Sequence, residues 1–182
     1  MKIAIGCDHI VINAKNNLVK YLTSKGHKVI DCGTYSDART HYDIYGFEVA
    51  RQVVTKQAEI GIVICGTGVG ITNAAQKTKG TRVCLVRDPE VARKAREFYN
   101  CNIVGMGGNI VGEGLMQAIV DTFITTKYKG GNKVMIKAVD NRLSKTNYNI
   151  HQFDQLIEDW ESGNYTNGVK QPKIVLPHTW KK

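Results

Sequence analysis

Residues 60–70 read Ile-Gly-Ile-Val-Ile-Cys-Gly-Thr-Gly-Val-Gly, and this stretch decides the fold class. The apolar run 60–65 is short and ends at a glycine-rich turn, which is typical of a strand in a parallel sheet. The alternating glycines after it let the backbone turn tightly, and the helix that follows aims unpaired N–H groups into the turn. The stretch therefore predicts a strand, an anion-binding turn and a helix. A carboxylate, an enolate or a phosphate would suit the turn.

The glycine spacing separates this turn from the common nucleotide-binding motifs. The pattern is GxGxG rather than GxGxxG, it follows the third predicted strand rather than the first, and the chain contains no GxxxxGK phosphate loop. We therefore expect no nicotinamide cofactor here.

Outside this stretch, short apolar runs alternate with segments of helical period, which is the pattern of a parallel sheet covered by helices on both faces. We predict strands at residues 3–7, 28–32, 60–65, 82–86 and 102–106. We predict helices at residues 13–25, 45–56, 70–77, 89–98, 113–125, 132–143 and 151–161. This order predicts an α/β fold, a doubly wound, Rossmann-like, five-stranded parallel sheet with additional C-terminal helices. Its ligand crevice would lie beyond the carboxyl ends of the strands.

The chain divides into three segments. We predict an α/β domain at residues 1–144, a helical extension of the same domain at residues 145–165, and a basic tail or strap at residues 166–182. The last segment holds four lysines, two prolines and no acidic residue. Its run Ile174-Val175-Leu176 and Trp180 are costly to leave in water. We therefore favour a strap docked on a neighbouring subunit over a mobile tail.

The net charge is +9, but the basic residues are spread along the chain. Residues 1–126 hold 15 Lys/Arg and 11 Asp/Glu, and residues 127–182 hold 10 and 5. No helix carries a dense basic face, and no zinc-finger, basic-zipper or RNA-binding pattern occurs. We therefore expect no nucleic-acid partner, and no membrane partner because no apolar run reaches about 18 residues. A phosphorylated metabolite suits the charge at least as well.

The cysteines occur singly, at Cys7, Cys32, Cys65, Cys84 and Cys101. Because there is no CxxC pair and no zinc-like Cys/His spacing, we expect no metal site. Free thiols without a signal peptide indicate a reducing cytoplasm. Cys65 ends a strand beside a helix N-terminus, where the helix dipole favours a thiolate that could serve as a base. The other four cysteines are typical small buried hydrophobes, and Cys65 could also be one.

Two further segments could face the same crevice. Asp8 and His9 end the first strand and could bind hydroxyls and phosphate if that strand neighbours the third; otherwise Asp8 is a helix N-cap and His9 a surface residue. Tyr42, in a predicted loop after the second strand, could close over a ligand or simply pack.

Three segments carry a resemblance to a known family: Gly6-Cys7-Asp8-His9, Gly33-Thr34-Tyr35 with Arg39-Thr40-His41-Tyr42, and Ile64-Cys65-Gly66-Thr67-Gly68-Val69-Gly70-Ile71. Together they resemble the type B ribose-5-phosphate isomerases and the galactose-6-phosphate isomerase subunits. The segments Asp8-His9-Ile10-Val11, Val86-Arg87-Asp88, Phe153-Asp154 and Trp160-Glu161-Ser162-Gly163-Asn164-Tyr165 are similar to the B-type galactose-6-phosphate subunits in particular.

The resemblance implies an aldose–ketose isomerase that needs no cofactor and no metal. Cys65 would move a proton from C2 to C1 of an open-chain sugar phosphate through a cis-enediolate, and Thr67 would assist proton movement between the oxygens. The substrate-binding residues that it implies are Asp8, His9, Arg39, Tyr42, Gly66, Gly68, Val69 and Gly70.

The departures from the family pattern indicate a partner. Type B isomerases place a ring-opening histidine shortly before the fifth strand and two arginines after a double glycine. This chain has Phe98-Tyr99-Asn100 in the first place and Gly130-Gly131-Asn132 followed by Lys133 and Lys137 in the second. We therefore expect an A-type subunit to supply the acid and the arginines at a shared interface.

Two alternatives remain open at this point. The chain could assemble with copies of itself as an isomerase of ribose 5-phosphate or a related pentose or tetrose phosphate. It could also be a non-catalytic subunit that binds a sugar phosphate, in which case Cys65 would be dispensable.

Overall fold

A computed structural model describes residues 1–142, 150–164 and 168–175. The strands are β1 Lys2–Cys7, β2 Lys28–Asp31, β3 Ile60–Cys65, β4 Val83–Leu85 and β5 Ile103–Gly107. The helices are α1 Ile12–Ser24, α2 Tyr42–Val54, α3 Val69–Gln76, α4 Pro89–Tyr99, α5 Glu113–Thr125, α6 Lys133–Arg142 and α7 Ile150–Ser162, and a short 3-10 helix, His9–Val11, precedes α1.

The five strands form one parallel sheet in the order β2-β1-β3-β5-β4, which confirms the predicted fold class. The chain leaves β1 toward β2 and returns to the other side of β1 to form β3, so the strand order reverses between β1 and β3. In open α/β sheets the ligand crevice lies beyond the carboxyl ends of the strands at such a reversal. The ends of β1 and β3 are therefore the expected place for a site.

Successive side chains along each strand point to opposite faces of the sheet, so the sheet separates two parts of the hydrophobic core. Ile62 and Ile64 point to the face that α1, α4 and α5 cover, together with side chains such as Leu18 and Phe123. Val63 and Cys65 point to the opposite face, which α2 and α3 cover. All six residues of β3 are buried, which explains why its sequence is a continuous apolar run. Cys65 consequently lies on the α2–α3 face.

The first residue of α2 is Tyr42, three residues before the predicted start, so the prediction that Tyr42 lies in a loop is wrong. The side chain of His41 caps the helix, because its Nδ1 accepts a hydrogen bond from the Asp43 N–H at 3.1 Å. Histidine is not among the residues preferred at N-caps, and for this reason the sequence pattern did not reveal the boundary. The described bounds of the other helices and of all strands agree with the predictions to within one residue.

Helix α1 buries a charge that its apolar pattern did not predict. Lys15 is 1% exposed, and its Nζ lies 2.7 and 2.5 Å from the two carboxylate oxygens of Asp31 at the end of β2. Asp31 also accepts the Gly33 N–H at 2.9 Å. The ion pair therefore fixes the chain where it leaves β2 and turns toward α2.

The C-terminal elements lie at two different places. Helix α6 lies beside the edge strand β4, where Arg82 forms an ion pair with Asp140. Trp160 of α7 and Ile174 of the following segment pack on the α2–α3 side of the core. Leu176 and Trp180 of the predicted strap lie outside the described residues. Among the described residues, no helix is both long enough and apolar enough to cross a membrane.

Candidate active site

The carboxyl ends of β1 and β3 are adjacent and hydrogen-bonded to each other. Cys7 of β1 is in register with Ile64 of β3, and the N–H of Asp8 donates to the Ile64 carbonyl at 3.3 Å. The condition under which Asp8, His9 and Cys65 share one crevice is therefore met.

Asp8 joins the first strand to the glycine turn. Its Oδ1 accepts the Ile10 N–H at 3.1 Å and so caps the 3-10 helix, and the backbone N–H of Gly66 also faces its carboxylate. Burial raises the pKa of the Asp8 carboxyl above its usual value, against the lowering effect of these backbone donors. Asp8 thus has the predicted N-cap role and also lies at the mouth of the crevice.

The thiol of Cys65 is held inside the glycine turn. Cys65 is 5% exposed, and its Sγ accepts the backbone N–H of Gly68 at 3.2 Å. The loop after β5 fixes the turn from behind, because Gly108 N–H donates to the Cys65 carbonyl at 2.9 Å and Asn109 N–H to the Gly66 carbonyl at 3.1 Å. The sulfur therefore has a defined position at the carboxyl end of β3, where the crevice is expected.

The glycine turn needs glycine at Gly68 in particular. Gly68 has φ +81° and is the N-cap of α3, and a Cβ on it would lie 2.6 Å from the Met106 carbonyl carbon and 2.7 Å from the Gly107 nitrogen. Close backbone approach and a left-handed conformation both exclude a side chain here. Thr67, between the two turn glycines, is exposed, and its Oγ1 accepts the Val69 N–H at 3.3 Å.

Gly70 provides the contact between the glycine turn and Tyr42. A Cβ on Gly70 would lie 2.7 Å from Cζ of Tyr42 and 2.8 Å from its Cε2. The tyrosine ring therefore lies directly on the first turn of α3, with 39% of the residue exposed. This position can present the phenol hydroxyl to a ligand.

His9 is oriented by the segment that precedes α2. Its Nδ1 accepts the backbone N–H of Thr40 at 3.3 Å, which leaves Nε2 as the donor of the neutral ring. The hydroxyl of Thr40 lies 3.0 Å from that of the buried Tyr45. Arg39, next to Thr40, is exposed and lines a small cavity of about 220 Å³ together with Pro172 and Ile174.

The structure thus brings together most of the residues singled out from the sequence. Around one crevice lie Asp8, His9, Tyr42, Cys65, Gly66, Thr67, Gly68, Val69 and Gly70. Arg39 lies on the neighbouring segment rather than in direct contact with the turn.

Three residues close to the site were not predicted from the sequence. Asn109 approaches Gly66 so closely that its Nδ2 would lie 3.4 Å from a Cβ there. It is a polar residue just after a strand, so the rule that singled out Asp8 could have found it. His41 and Trp160, whose rings lie 5.6 Å apart, are separated by more than a hundred residues in the chain, and no local pattern links them.

The other cysteines have core environments. Burial raises the pKa of Cys7 to about 12 and that of Cys32 well above its usual value. All five cysteines are free thiols. Among the described residues, no cluster of three His, Cys, Asp or Glu side chains is arranged to hold a metal ion.

The cationic side chains near the double glycine lie away from this crevice. Lys133 and Lys137 are exposed on α6, which lies beside β4, two strands from β3. A larger cavity of about 800 Å³ occurs there, and its walls are mostly apolar side chains such as Val91, Met135 and Val139. We place the candidate site at Cys65 because that crevice, unlike the larger cavity, combines a positioned thiol, a helix N-terminus and polar side chains.

Comparisons with known proteins show the family to which the chain belongs. Residues 3–139 match the protein family described as Ribose/Galactose Isomerase. The chain is 47% identical over 170 residues to galactose-6-phosphate isomerase subunit LacB of Clostridium acetobutylicum, covering 91% of this chain and 98% of that protein. It is 41% identical over 130 residues to ribose-5-phosphate isomerase B of Escherichia coli, covering 71% and 87%.

Solved structures show the same fold. Ribose-5-phosphate isomerase B of Clostridium thermocellum superposes with a TM-score of 0.79 at 36% identity, covering 81% of this chain and 100% of that one. The Mycoplasma genitalium ribose-5-phosphate isomerase B with bound ribulose-5-phosphate superposes with a TM-score of 0.75 at 32% identity, covering 80% and 97%. The resemblance predicted from the sequence is confirmed, and the chain belongs to the ribose/galactose isomerase family of sugar-phosphate isomerases.

Proposed function

We propose that this chain is the B-type subunit of a galactose-6-phosphate isomerase and interconverts galactose 6-phosphate and tagatose 6-phosphate. The position of Cys65 supports the chemistry most directly, since its thiol lies beside a helix N-terminus and accepts a backbone N–H of the glycine turn. The likeness to the LacB subunit, which extends over 91% of the chain, supports the choice of sugar.

The reaction moves one proton between two carbons. The Cys65 thiolate takes the C2 proton of the open-chain aldose phosphate, and the electrons that remain form a cis-enediolate across C1 and C2. The thiol then returns the proton to C1, while Thr67 moves the hydroxyl proton from O2 to O1. The product is the ketose, and no electron leaves the substrate.

The enediolate oxygen needs N–H donors that are not already used. In this structure Gly68 donates to the Cys65 sulfur and Val69 donates to the Thr67 hydroxyl. We therefore assign the oxyanion to the first turn of α3, at Gly70 and Ile71, whose N–H groups have no acceptor within the helix. Of the turn residues that the resemblance implies, this assignment keeps Gly70, and it adds Ile71.

The remaining residues would bind the substrate. Asp8 and Tyr42 border the crevice and would position sugar hydroxyls. His9 would donate from Nε2 to the phosphate, because Thr40 occupies its Nδ1. Arg39 would add a positive charge from the adjacent segment.

The site is completed, on this proposal, by an A-type subunit. Phe98 and Tyr99 are exposed at the end of α4, where the family pattern has a ring-opening histidine, and α6 carries its lysines at the far edge of the sheet. Exposed Ile10, Val69 and Ile110 surround the glycine turn, which suits an apolar contact with a second subunit.

The five free thiols support a reducing compartment, and we place the enzyme in the cytoplasm.

A homo-oligomeric ribose-5-phosphate isomerase is the second candidate. The 41% identity to the Escherichia coli enzyme favours it, because both sugars undergo the same proton shift. Assays of the purified chain alone and mixed with an A-type subunit, on both substrates, separate the two. Full turnover of either sugar by the chain alone would contradict the shared site.

Replacing the thiol tests the catalytic role. Cys65→Ala, assayed with the A-type subunit present, should lose at least about 100-fold in kcat, the contribution of a positioned base, while sugar-phosphate binding largely survives. Cys84→Ala, at the half-buried thiol of β4, is the matched control and should retain activity. If Cys65→Ala keeps more than about a tenth of the rate, another base is required and a binding-only role for this chain becomes tenable.

A further inference from the structure

The C-terminal extension reaches the wall of the candidate site. The family match ends at residue 139, yet Trp160 of α7 is 3% exposed and belongs to the buried cluster on the α2–α3 side of the sheet. Its ring meets the His41 ring edge-on, with centroids 5.6 Å apart and an interplanar angle of 74°. This arrangement is a favourable geometry for two aromatic rings.

His41 also contacts Tyr42. Its ring lies 4.8 Å from the Tyr42 ring, and its Nδ1 accepts the Asp43 N–H that begins α2. Burial lowers the pKa of His41, which favours the neutral ring that can accept this bond. Tyr42 in turn lies on Gly70. An unbroken series of contacts therefore runs from Trp160 to the glycine turn.

The segment after α7 holds the helix in place. Ile174 N–H donates to Oε1 of Glu161 at 2.8 Å, and the Ile174 side chain packs on the same core as Trp160. The adjoining Pro172 faces the segment of Arg39 and Thr40 across the small cavity. The extension thus contacts His41 through Trp160 and lines the same cavity as Arg39 and Thr40 through Pro172.

We propose that Trp160 is a positioning residue that fixes His41 and, through it, the Tyr42 ring over the substrate. The proposal rests on the proposed function, in which Tyr42 binds a sugar hydroxyl. On this proposal Trp160 acts through His41 and Tyr42 and not through Cys65, so its loss weakens substrate binding and leaves the proton transfer unchanged. The C-terminal extension then contributes to the substrate-binding site.

Steady-state kinetics of the assembled enzyme tests this role. Trp160→Leu should raise KM about two- to tenfold, the range of one neutral hydrogen bond, with kcat within about twofold, because uniform binding is lost. Trp160→Phe, which keeps an aromatic ring against His41, should restore KM. Leu156→Ala, which removes a partly buried α7 side chain from the same core, is the matched control and should lower Tm without raising KM.

The outcomes distinguish this proposal from the proposed function. Wild-type turnover of galactose 6-phosphate tests the function, and if only ribose 5-phosphate is turned over, the same KM comparison is made on that sugar. Equal KM values for Trp160→Leu and wild type, or a rise in KM shared by Leu156→Ala, would overturn the positioning role. If the assembled wild type binds neither sugar, Tyr42 has no substrate to position and both ideas fail.

Discussion

Gly70→Ala tests whether Tyr42 is placed by the glycine turn. The added Cβ would lie 2.7 to 3.0 Å from three atoms of the Tyr42 ring, whereas carbon atoms in ordinary contact are about 3.5–4.0 Å apart. The ring must therefore move outward by about 1 Å, which its partial exposure permits. A hydrogen bond of about 2.8 Å from the phenol would lengthen to about 3.8 Å and be lost.

The fold should tolerate this change. Gly70 is the second residue of α3, where alanine favours the helix by about 0.5–1 kcal/mol over glycine. We expect the free energy of unfolding to stay within about 1 kcal/mol of wild type. KM should nevertheless rise about two- to tenfold, the effect of one lost neutral hydrogen bond.

A double-mutant cycle with Tyr42→Ala isolates the cause. Kinetics of the assembled enzyme are measured for wild type, both single variants and the double variant, with urea unfolding of each. In the Tyr42→Ala background, Gly70→Ala should have no further effect on KM. Gly114→Ala, where the Cβ meets nothing within 4 Å, is the control. If Gly70→Ala raises KM equally in the wild-type and Tyr42→Ala backgrounds, the reasoning is refuted. The substitution would then act on the α3 amides and not on the tyrosine ring.

Three further predictions concern stability and reactivity. Asp31→Asn should lower the free energy of unfolding, measured in urea, by about 3 kcal/mol because it leaves the Lys15 ammonium buried without its partner. Lys15→Met should lower it less, since the remaining Asp31 carboxylate is 31% exposed. A larger effect of Lys15→Met would contradict this account. Gly68→Ala should lower Tm and abolish turnover, since φ +81° and the backbone of Met106 both oppose a Cβ; an active, stable variant would show that the turn can rearrange. Iodoacetamide at about pH 8 should leave Cys7, whose pKa is raised to about 12, unmodified by peptide mass spectrometry, and its early labelling would contradict the buried environment.

The sequence was sufficient for the sheet because each strand has a local signal. The run 60–65 is apolar throughout because both faces of β3 are buried. The alternating glycines that follow it are typical of a tight turn between a strand and a helix. The adjacency of β1 and β3, on which the roles of Asp8 and His9 depend, could only be stated as a condition. Strand order is set by packing over the whole chain, and no single segment encodes it.

Contacts between distant segments explain what the sequence did not reveal. The helical pattern of α1 would place Lys15 among the exposed residues, but it is buried. Its burial is tolerable only because Asp31, sixteen residues later, forms an ion pair with it. The contact of His41 with Trp160 depends on how α7 folds back on α2, and the start of α2 at Tyr42 depends on an uncommon cap. The first two features require tertiary structure to be known, whereas the third is a local cap by an uncommon residue type.

Charge balance gives an independent reason for a shared site. A sugar phosphate carries roughly −1.5 to −2 charges at pH 7, and the enediolate adds about one more as it forms. Within the described part of the chain, the donors proposed for the substrate are the α3 N-terminus, equivalent to about +0.5, backbone amides and the side chains of His9, Tyr42 and Thr67, with Arg39 on the adjoining segment. Burial also raises the pKa of the Asp8 carboxyl, because desolvation disfavours its charged form. Cations from another subunit would make up this deficit, and they would do so most effectively in the transition state, where the negative charge is greatest.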